Sequence, residues 1–235
     1  MNMYTIHKMS LRSYSIIGAM ALTLSSSALT QTALEPAQVL EKVREAYSKI
    51  DDASATFTEQ VKFKYTNVQQ SLSGELQMKK DNKYRIQTDQ QTIITDGKTV
   101  WAYSPINRQV LIDTYKENAK TFSPDKFLFS VPTDFYAVFL NENLPSTNAR
   151  YVLKLIPRKG TPSAAMVTSL KIWVSEKDWS IRKVEYIDMN ETQSVYTIHS
   201  LTINNGVADS VFSFTVPNGV QVVDLRALKA KARHE

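Results

Sequence analysis

The tripeptide Gly97-Lys98-Thr99 has the ending of a phosphate-binding loop, and it is the first stretch of the chain that could carry chemistry. A Walker-type loop needs a further glycine five positions earlier, because the backbone amides of a whole glycine-rich turn must wrap the phosphates. Position 92 is Thr92, and the segments on either side, Thr92-Ile93-Ile94-Thr95 and Thr99-Val100-Trp101-Ala102-Tyr103, read as strands. No helix start is available there to hold an anion. Asp96-Gly97 between two such runs is instead a hairpin signal, with a type I′ turn expected to place both residues at positive φ. Histidine offers little more. His7 lies in the leading segment, His234 near the last residue, and His199 at an alternating position of a strand-like run. A metal site or a histidine-dependent triad is not expected. Glu59, Asp96, Asp125 and Asp134 fit a strand, a turn and two helix starts, and no carboxylate pair points to glycoside chemistry. No catalytic residue, metal or cofactor is expected.

Apolar side chains are supplied far more richly than converging polar ones. Ala55, Phe57, Val61, Phe63 and Tyr65 fall on one face of a period-two stretch, with Glu59 the exception, while Thr56, Thr58, Gln60, Lys62 and Lys64 fall on the other. That is the pattern of a half-buried antiparallel strand. Leu72, Gly74, Leu76 and Met78 alternate in the same way, and Tyr84, Ile86 and Thr88 continue after an Asp81-Asn82 turn. Gln109 to Asp113 returns after a turn at Ser104-Pro105-Ile106-Asn107. Tyr151 to Pro157, Val167 to Val174, Ile181 to Asp188, Ser194 to Ile203 and Val211 to Val216 are further strand-like runs. About eleven strands result, and an up-and-down antiparallel sheet of that size curls rather than staying flat. The expected fold is therefore mainly β, an incomplete antiparallel barrel closed by helices.

Two segments depart from the period of two. Residues 35–50 place Val39, Leu40, Val43, Ala46, Tyr47 and Ile50 at helical spacing and predict an amphipathic helix. Residues 123–140 contain Pro124 and Pro132, each able to start a short helix with an acidic residue, Asp125 or Asp134, in its first turn, and predict two short helices. Five of the nine phenylalanines lie between Phe122 and Phe139, which suits a lid. Phe57, Leu76, Met78, Ile86, Trp101 or its neighbour Val100, Phe127, Phe129, Phe135 and Phe139 would then converge inside the curl. Singly they are core residues; as a set they suggest an apolar ligand cavity, since a barrel of more than about eight strands has more interior than side chains fill.

Residues 1–30 run from Lys8 and Arg12 through the apolar stretch from Tyr14 to Leu24 to small residues ending at Ala28, the order of a secretory signal peptide cleaved near Ala28 or Thr30. The stretch is too short and serine-rich for a span of about 30 Å. Loss of Lys8 and Arg12 takes the formal charge from +5 to +3. A single domain over 31–235 with a short basic tail follows. No basic stripe interleaves with aromatics, so nucleic acid is not an expected partner. The chain contains no cysteine, so no disulfide, thiol chemistry or acylated amino-terminal cysteine is expected.

In order and spacing these features resemble the periplasmic lipoprotein carriers of the LolA family. The resemblance is carried by the first helix followed by Ala55-Thr56-Phe57-Thr58-Glu59-Gln60-Val61, by Ser73-Gly74-Glu75-Leu76 with Lys79-Lys80, by Thr95-Asp96-Gly97-Lys98-Thr99-Val100-Trp101-Ala102-Tyr103, and by Phe212-Ser213-Phe214-Thr215-Val216-Pro217-Asn218-Gly219-Val220. It implies a soluble, monomeric periplasmic chaperone that shelters the acyl chains of lipoproteins between inner and outer membrane. It also implies two partners, an inner-membrane lipoprotein-releasing ABC transporter and an outer-membrane lipoprotein receptor. Exposing one chain of sixteen carbons would cost on the order of 12 kcal/mol, which is what such a carrier avoids. Members often carry Lys-Arg-Pro where this chain has Lys79-Lys80-Asp81, and that arginine is thought to latch the lid; the resemblance assigns the latch to Lys80. Lys80 offers donors without the planar fork of arginine. The receptor shares the fold but requires a lipidated cysteine. A regulatory sensor of the same fold, which binds an anti-sigma factor and carries a further domain, is the alternative, followed by a lipid-directed hydrolase.

Overall fold

The structure, a computed structural model, describes residues 33–66, 68–116, 133–142, 149–165 and 167–227. Residues from Leu34 onward form one compact unit. Helix α1 spans Pro36–Ser48. Proline at its start has φ already set for a helix and lacks only an amide that would have no partner. A capping box closes that end, with the Glu35 amide donating to Oε1 of Gln38 at 2.8 Å. The expected apolar stripe is the buried one: Val39, Leu40, Val43 and Tyr47.

Among the described residues twelve strands follow in one sheet: β1 Asp52–Lys62, β2 Gln69–Lys79, β3 Lys83–Thr88, β4 Thr92–Asp96, β5 Thr99–Ser104, β6 Gln109–Thr114, β7 Phe135–Phe139, β8 Tyr151–Pro157, β9 Val167–Val174, β10 Ile181–Asp188, β11 Gln193–Ile203 and β12 Gln221–Asp224. Their order is β12-β6-β5-β4-β3-β2-β1-β11-β10-β9-β8-β7, so β12 and β7 are the two ends and the sheet is not closed. Among the described residues all pairings are antiparallel except that of β12 with β6. The long pairs β1·β2 and β1·β11 form its centre, with a bulge between Thr56 and Phe57 that leaves His199 as the extra residue.

Four expectations need correction. Strand β1 ends at Lys62, so Phe63 and Tyr65 lie past it, 38% and 82% exposed, rather than on its buried face. The second of the two helices predicted within 123–140 is strand β7 where it is described; Phe135, Ala137 and Phe139 pair with Pro157, Leu155 and Leu153, and the alternation of aromatic and β-branched residues outweighs the proline signal. The first of those helices lies outside the described residues. Val211 to Val216 is not a strand: Asp209–Phe212 is a short 3₁₀ turn followed by irregular backbone. Its apolar residues cover the sheet instead of joining it, and Phe212 is 1% exposed. Asp96 keeps strand geometry, so the corner is built from Gly97 at φ 88° with Lys98 rather than from two left-handed residues. This is the type II′ pattern. A Cβ on Gly97 would stand 2.3 Å from the carbonyl oxygen of Asp81, which fixes glycine there.

Candidate functional site

The inner face of the sheet is the one α1 packs on. Its core joins Val39, Leu40, Val43, Tyr47 and Ile50 to Ala53, Ala55 and Phe57 of β1, Leu76 and Met78 of β2, and the inner residues of β8 to β11. Burying one large apolar side chain stabilises by roughly 1.5–3 kcal/mol, so this cluster holds the helix down. The Tyr47 hydroxyl, buried within it, accepts a hydrogen bond from the Ile181 amide at 3.0 Å. Burial pushes the Tyr47 phenol well above its ordinary value of 10.0.

Beyond this core the same face continues with side chains that are only half-buried. On β1 it carries Glu59 and Val61, on β2 Leu72, on β3 Tyr84 and Ile86, on β4 Ile93, and on β5 Val100 and Ala102. Tyr186 and Tyr196 extend it on β10 and β11, stacked at 6.3 Å and 9°. Half-exposed apolar and aromatic residues in a continuous wall are available to a greasy ligand in a way that fully packed ones are not.

Strand register sorts the candidate residues. Ala55, Leu76 and Ile86 stand side by side across β1, β2 and β3, as do Ala53, Met78 and Tyr84. Phe57 faces Gly74, where an added Cβ would lie 2.7 Å from the ring. Phe57, Leu76, Met78 and Phe135 are 8%, 3%, 2% and 3% exposed and fill the helix core. Ile86 lies further out on the same face, half-buried. Phe139 is on the inner face of the end strand, 42% exposed and stacked on Tyr151 at 6.0 Å. Trp101 is on the other side: it pairs with Ile94 and Ile112, and its neighbour Val100 takes the inner position beside Thr95. Phe127 and Phe129 lie outside the described residues. Lys80 forms an ion pair with Asp51 in the turn before β1, both largely exposed.

The outer face carries a second apolar cluster over β4 to β6. Ile94, Val110 and Phe212 are 0%, 0% and 1% exposed, and Phe214 approaches Tyr103 at 5.6 Å. Asp209 fastens the covering segment by accepting from Lys79 and Lys83, both at 3.1 Å. Elsewhere on that face a polar groove of about 530 Å³ is lined by Thr56, Thr58, Ser73, Glu75, Gln87 and His199 among others. His199 Nε2 lies 2.6 Å from the Thr58 hydroxyl there. Among the described residues no three histidine, aspartate or glutamate side chains gather closely enough to hold a metal ion.

The signals for Tyr186 and Tyr196 were present in the period-two runs of the second half, as was that for Leu72 in the first. What the runs lacked was any sign of which inner residues the helix would cover.

A mainly antiparallel sheet that is not closed, apolar along much of one face and only partly covered there by a helix, defines the class of incomplete barrels. Within that class the chain belongs to the outer membrane lipoprotein carrier protein LolA family, whose model matches residues 48–215. An outer-membrane lipoprotein carrier protein of Pasteurella multocida (strain Pm70) is 31% identical over 211 residues, covering 88% of this chain and 94% of that one. One from Histophilus somni (strain 2336) is 29% identical over 199 residues, 81% of this chain and 89% of its own. The solved structure of an uncharacterized conserved protein from Thermus thermophilus shares the fold, with a TM-score of 0.51 at 14% identity over 80% of this chain and 98% of that one.

Proposed function

We propose that the protein is a periplasmic carrier which shelters the acyl chains of lipoproteins on the inner face of its sheet and moves them from the inner to the outer membrane. One observation carries this reading. The inner face continues past the helix core as a half-buried apolar wall through Val61, Leu72, Ile86, Ile93 and Ala102. A wall of that kind offers surface to acyl chains at no cost in unfolding the core. Each methylene it covers is worth roughly 0.8 kcal/mol, so an acyl chain laid along it is held firmly but non-covalently. The proposed partners are acylated lipoproteins, an inner-membrane lipoprotein-releasing ABC transporter and an outer-membrane receptor. Residues 1–30 serve as a cleaved signal peptide in this reading, and the protein transfers its cargo without chemical turnover.

The test is extraction. Purified protein is added to inner-membrane vesicles that contain the transporter and an epitope-tagged lipoprotein, with ATP, and the soluble fraction is examined for a complex of the two. Soluble tagged lipoprotein bound to the carrier is the expected result. Lipoprotein that stays with the vesicles at every carrier concentration would overturn the reading.

A further inference from the structure

Glu59 interrupts the apolar alternation of β1 at a position the carrier reading leaves without a task. Across the ladder it stands between Leu72 of β2 and Tyr196 of β11, with Phe57 and Val61 as its neighbours along the strand on the same face. The Tyr196 phenol donates to its Oε1. Phe57 and Tyr186 place their ring centroids 6.2 Å and 6.3 Å from that of Tyr196. Burial first, then the proximity of Tyr186 and Glu59, raises the Tyr196 pKa, so the phenol keeps its proton and remains a donor. A carboxylate has about four acceptor positions on its two oxygens, and one phenol fills one of them. Glu59 forms no ion pair among the described residues, and Oε2 has no hydrogen-bond partner among them. Glu59 is half-buried and Oε2 keeps contact with solvent, so a donor on a ligand lying along this aromatic and aliphatic wall can take the place of water there.

Acyl chains and their ester carbonyls carry no donor. In a lipid-modified chain end or an amino lipid, a donor close to the acyl chains is nitrogen. We propose that Glu59, oriented by Tyr196, is a subsite within the acyl-binding face that accepts hydrogen bonds from a nitrogen-bearing head joined to the acyl chains, an ammonium or an amide N–H. This rests on the carrier reading above. Glu59 binds the head; Tyr196 is a positioning residue that fixes the carboxylate.

The test uses the full mature chain and three probes with the same tail: hexadecylamine, N-methylhexadecanamide and methyl hexadecanoate, each displacing a fluorescent fatty probe. The protein should bind at least one nitrogen probe about tenfold or more tighter than the ester. The tighter of the two identifies the head as ammonium or amide. Glu59→Leu should bring both nitrogen probes to within about threefold of the ester while leaving the ester unchanged, since a charge-assisted hydrogen bond is lost and no apolar contact is. Glu59→Gln keeps an uncharged acceptor, so it should reduce amine binding more than amide binding. Tyr196→Phe should weaken the nitrogen preference without altering ester affinity, a split that a merely structural role would not produce. Circular dichroism confirms that each variant folds. Equal binding of all three probes by the unaltered protein, or a nitrogen preference that survives both Glu59 substitutions, overturns the subsite and leaves the carrier reading standing. Failure of every probe to bind overturns the carrier reading and the subsite with it.

Discussion

Asp96 shows how one side chain can hold a corner that the backbone alone leaves open. Its Oδ1 accepts from the amides of Lys98 at 2.8 Å and Thr99 at 2.7 Å, which would otherwise face the turn without partners. Partial burial pushes the carboxyl up, but these two amides and the Lys98 charge outweigh it and hold it below its ordinary value of 3.8. A carboxyl depressed in the folded state stabilises in its ionised form. The contribution is complete above the unfolded value and is lost as pH falls through the folded one. Asp96→Ala is therefore expected to lower the free energy of unfolding by about 1–2 kcal/mol at pH near 7, with the gap to the parent protein closing as pH drops below about 4. Urea titrations at three pH values check this, and a gap that stays constant down to about pH 2 would contradict it. Lys80 gives the opposite expectation for stability. Lys80 and Asp51 are 58% and 66% exposed, and such a pair contributes about 0–1 kcal/mol. Lys80→Leu should leave the urea midpoint nearly unchanged while slowing release of lipoprotein from inner-membrane vesicles; release at the parent rate would count against a latch. Residues of this kind were legible from sequence only as types. The Asp-Gly corner was visible, but Thr99-Val100-Trp101-Ala102-Tyr103 is apolar or β-branched on both of its faces. Such a strand does not declare which side is inward, so Trp101 or Val100 could not be chosen until register chose Val100.

At the scale of elements, most alternating runs match their strands to within a residue or two, while β1 stops at Lys62, three residues before its alternation ends. β8, β9 and β10 have the bounds their alternation predicted, Tyr151–Pro157, Val167–Val174 and Ile181–Asp188. The misread elements are those whose conformation is decided by distant partners. Five residues of β7 could be a helical turn or a strand until Leu153 and Leu155 supply a ladder. The segment around Phe212 and Phe214 alternates like a strand, yet its task is to cover Ile94 and Val110, and Pro217 interrupts any ladder it could join. Helix α1 depends on a similar distant contact. Tyr47 is 4% exposed and its hydroxyl satisfies the Ile181 amide of β10, linking α1 to the far side of the sheet. Tyr47→Phe keeps the ring and removes the acceptor, which leaves a buried amide without a partner. A loss of about 1–3 kcal/mol is expected. Thermal unfolding should show it as a lower midpoint with unchanged cooperativity, and an unchanged midpoint would mean that water reaches Ile181.

For the whole molecule the two faces of the sheet have different duties, and adjacent residues of β4 separate them. Ile94 is fully buried on the outer face beneath the segment of Phe212, whereas Ile93 is half-buried on the inner face beside Ile86 and Ala102. The outer cluster stiffens this arm of the sheet without help from the helix, which allows the inner face to stay incompletely packed. A carrier needs that division, because a wall that had to be filled for stability could not also receive a ligand. Ile94→Ala is then expected to cost about 2–4 kcal/mol through the cavity it leaves, with the affinity of the folded protein for a fatty probe unchanged. Ile93→Asp places a charge on a half-open surface and should cost far less in stability, yet reduce affinity for the same probe about tenfold or more, since acyl methylenes would meet a hydrated carboxylate. Urea unfolding and displacement of a fluorescent fatty acid, measured on both variants, distinguish the two duties. If Ile93→Asp binds the probe as well as the parent, the acyl chains do not lie along β4; if Ile94→Ala alone loses binding, the ligand face has been assigned to the wrong side of the sheet.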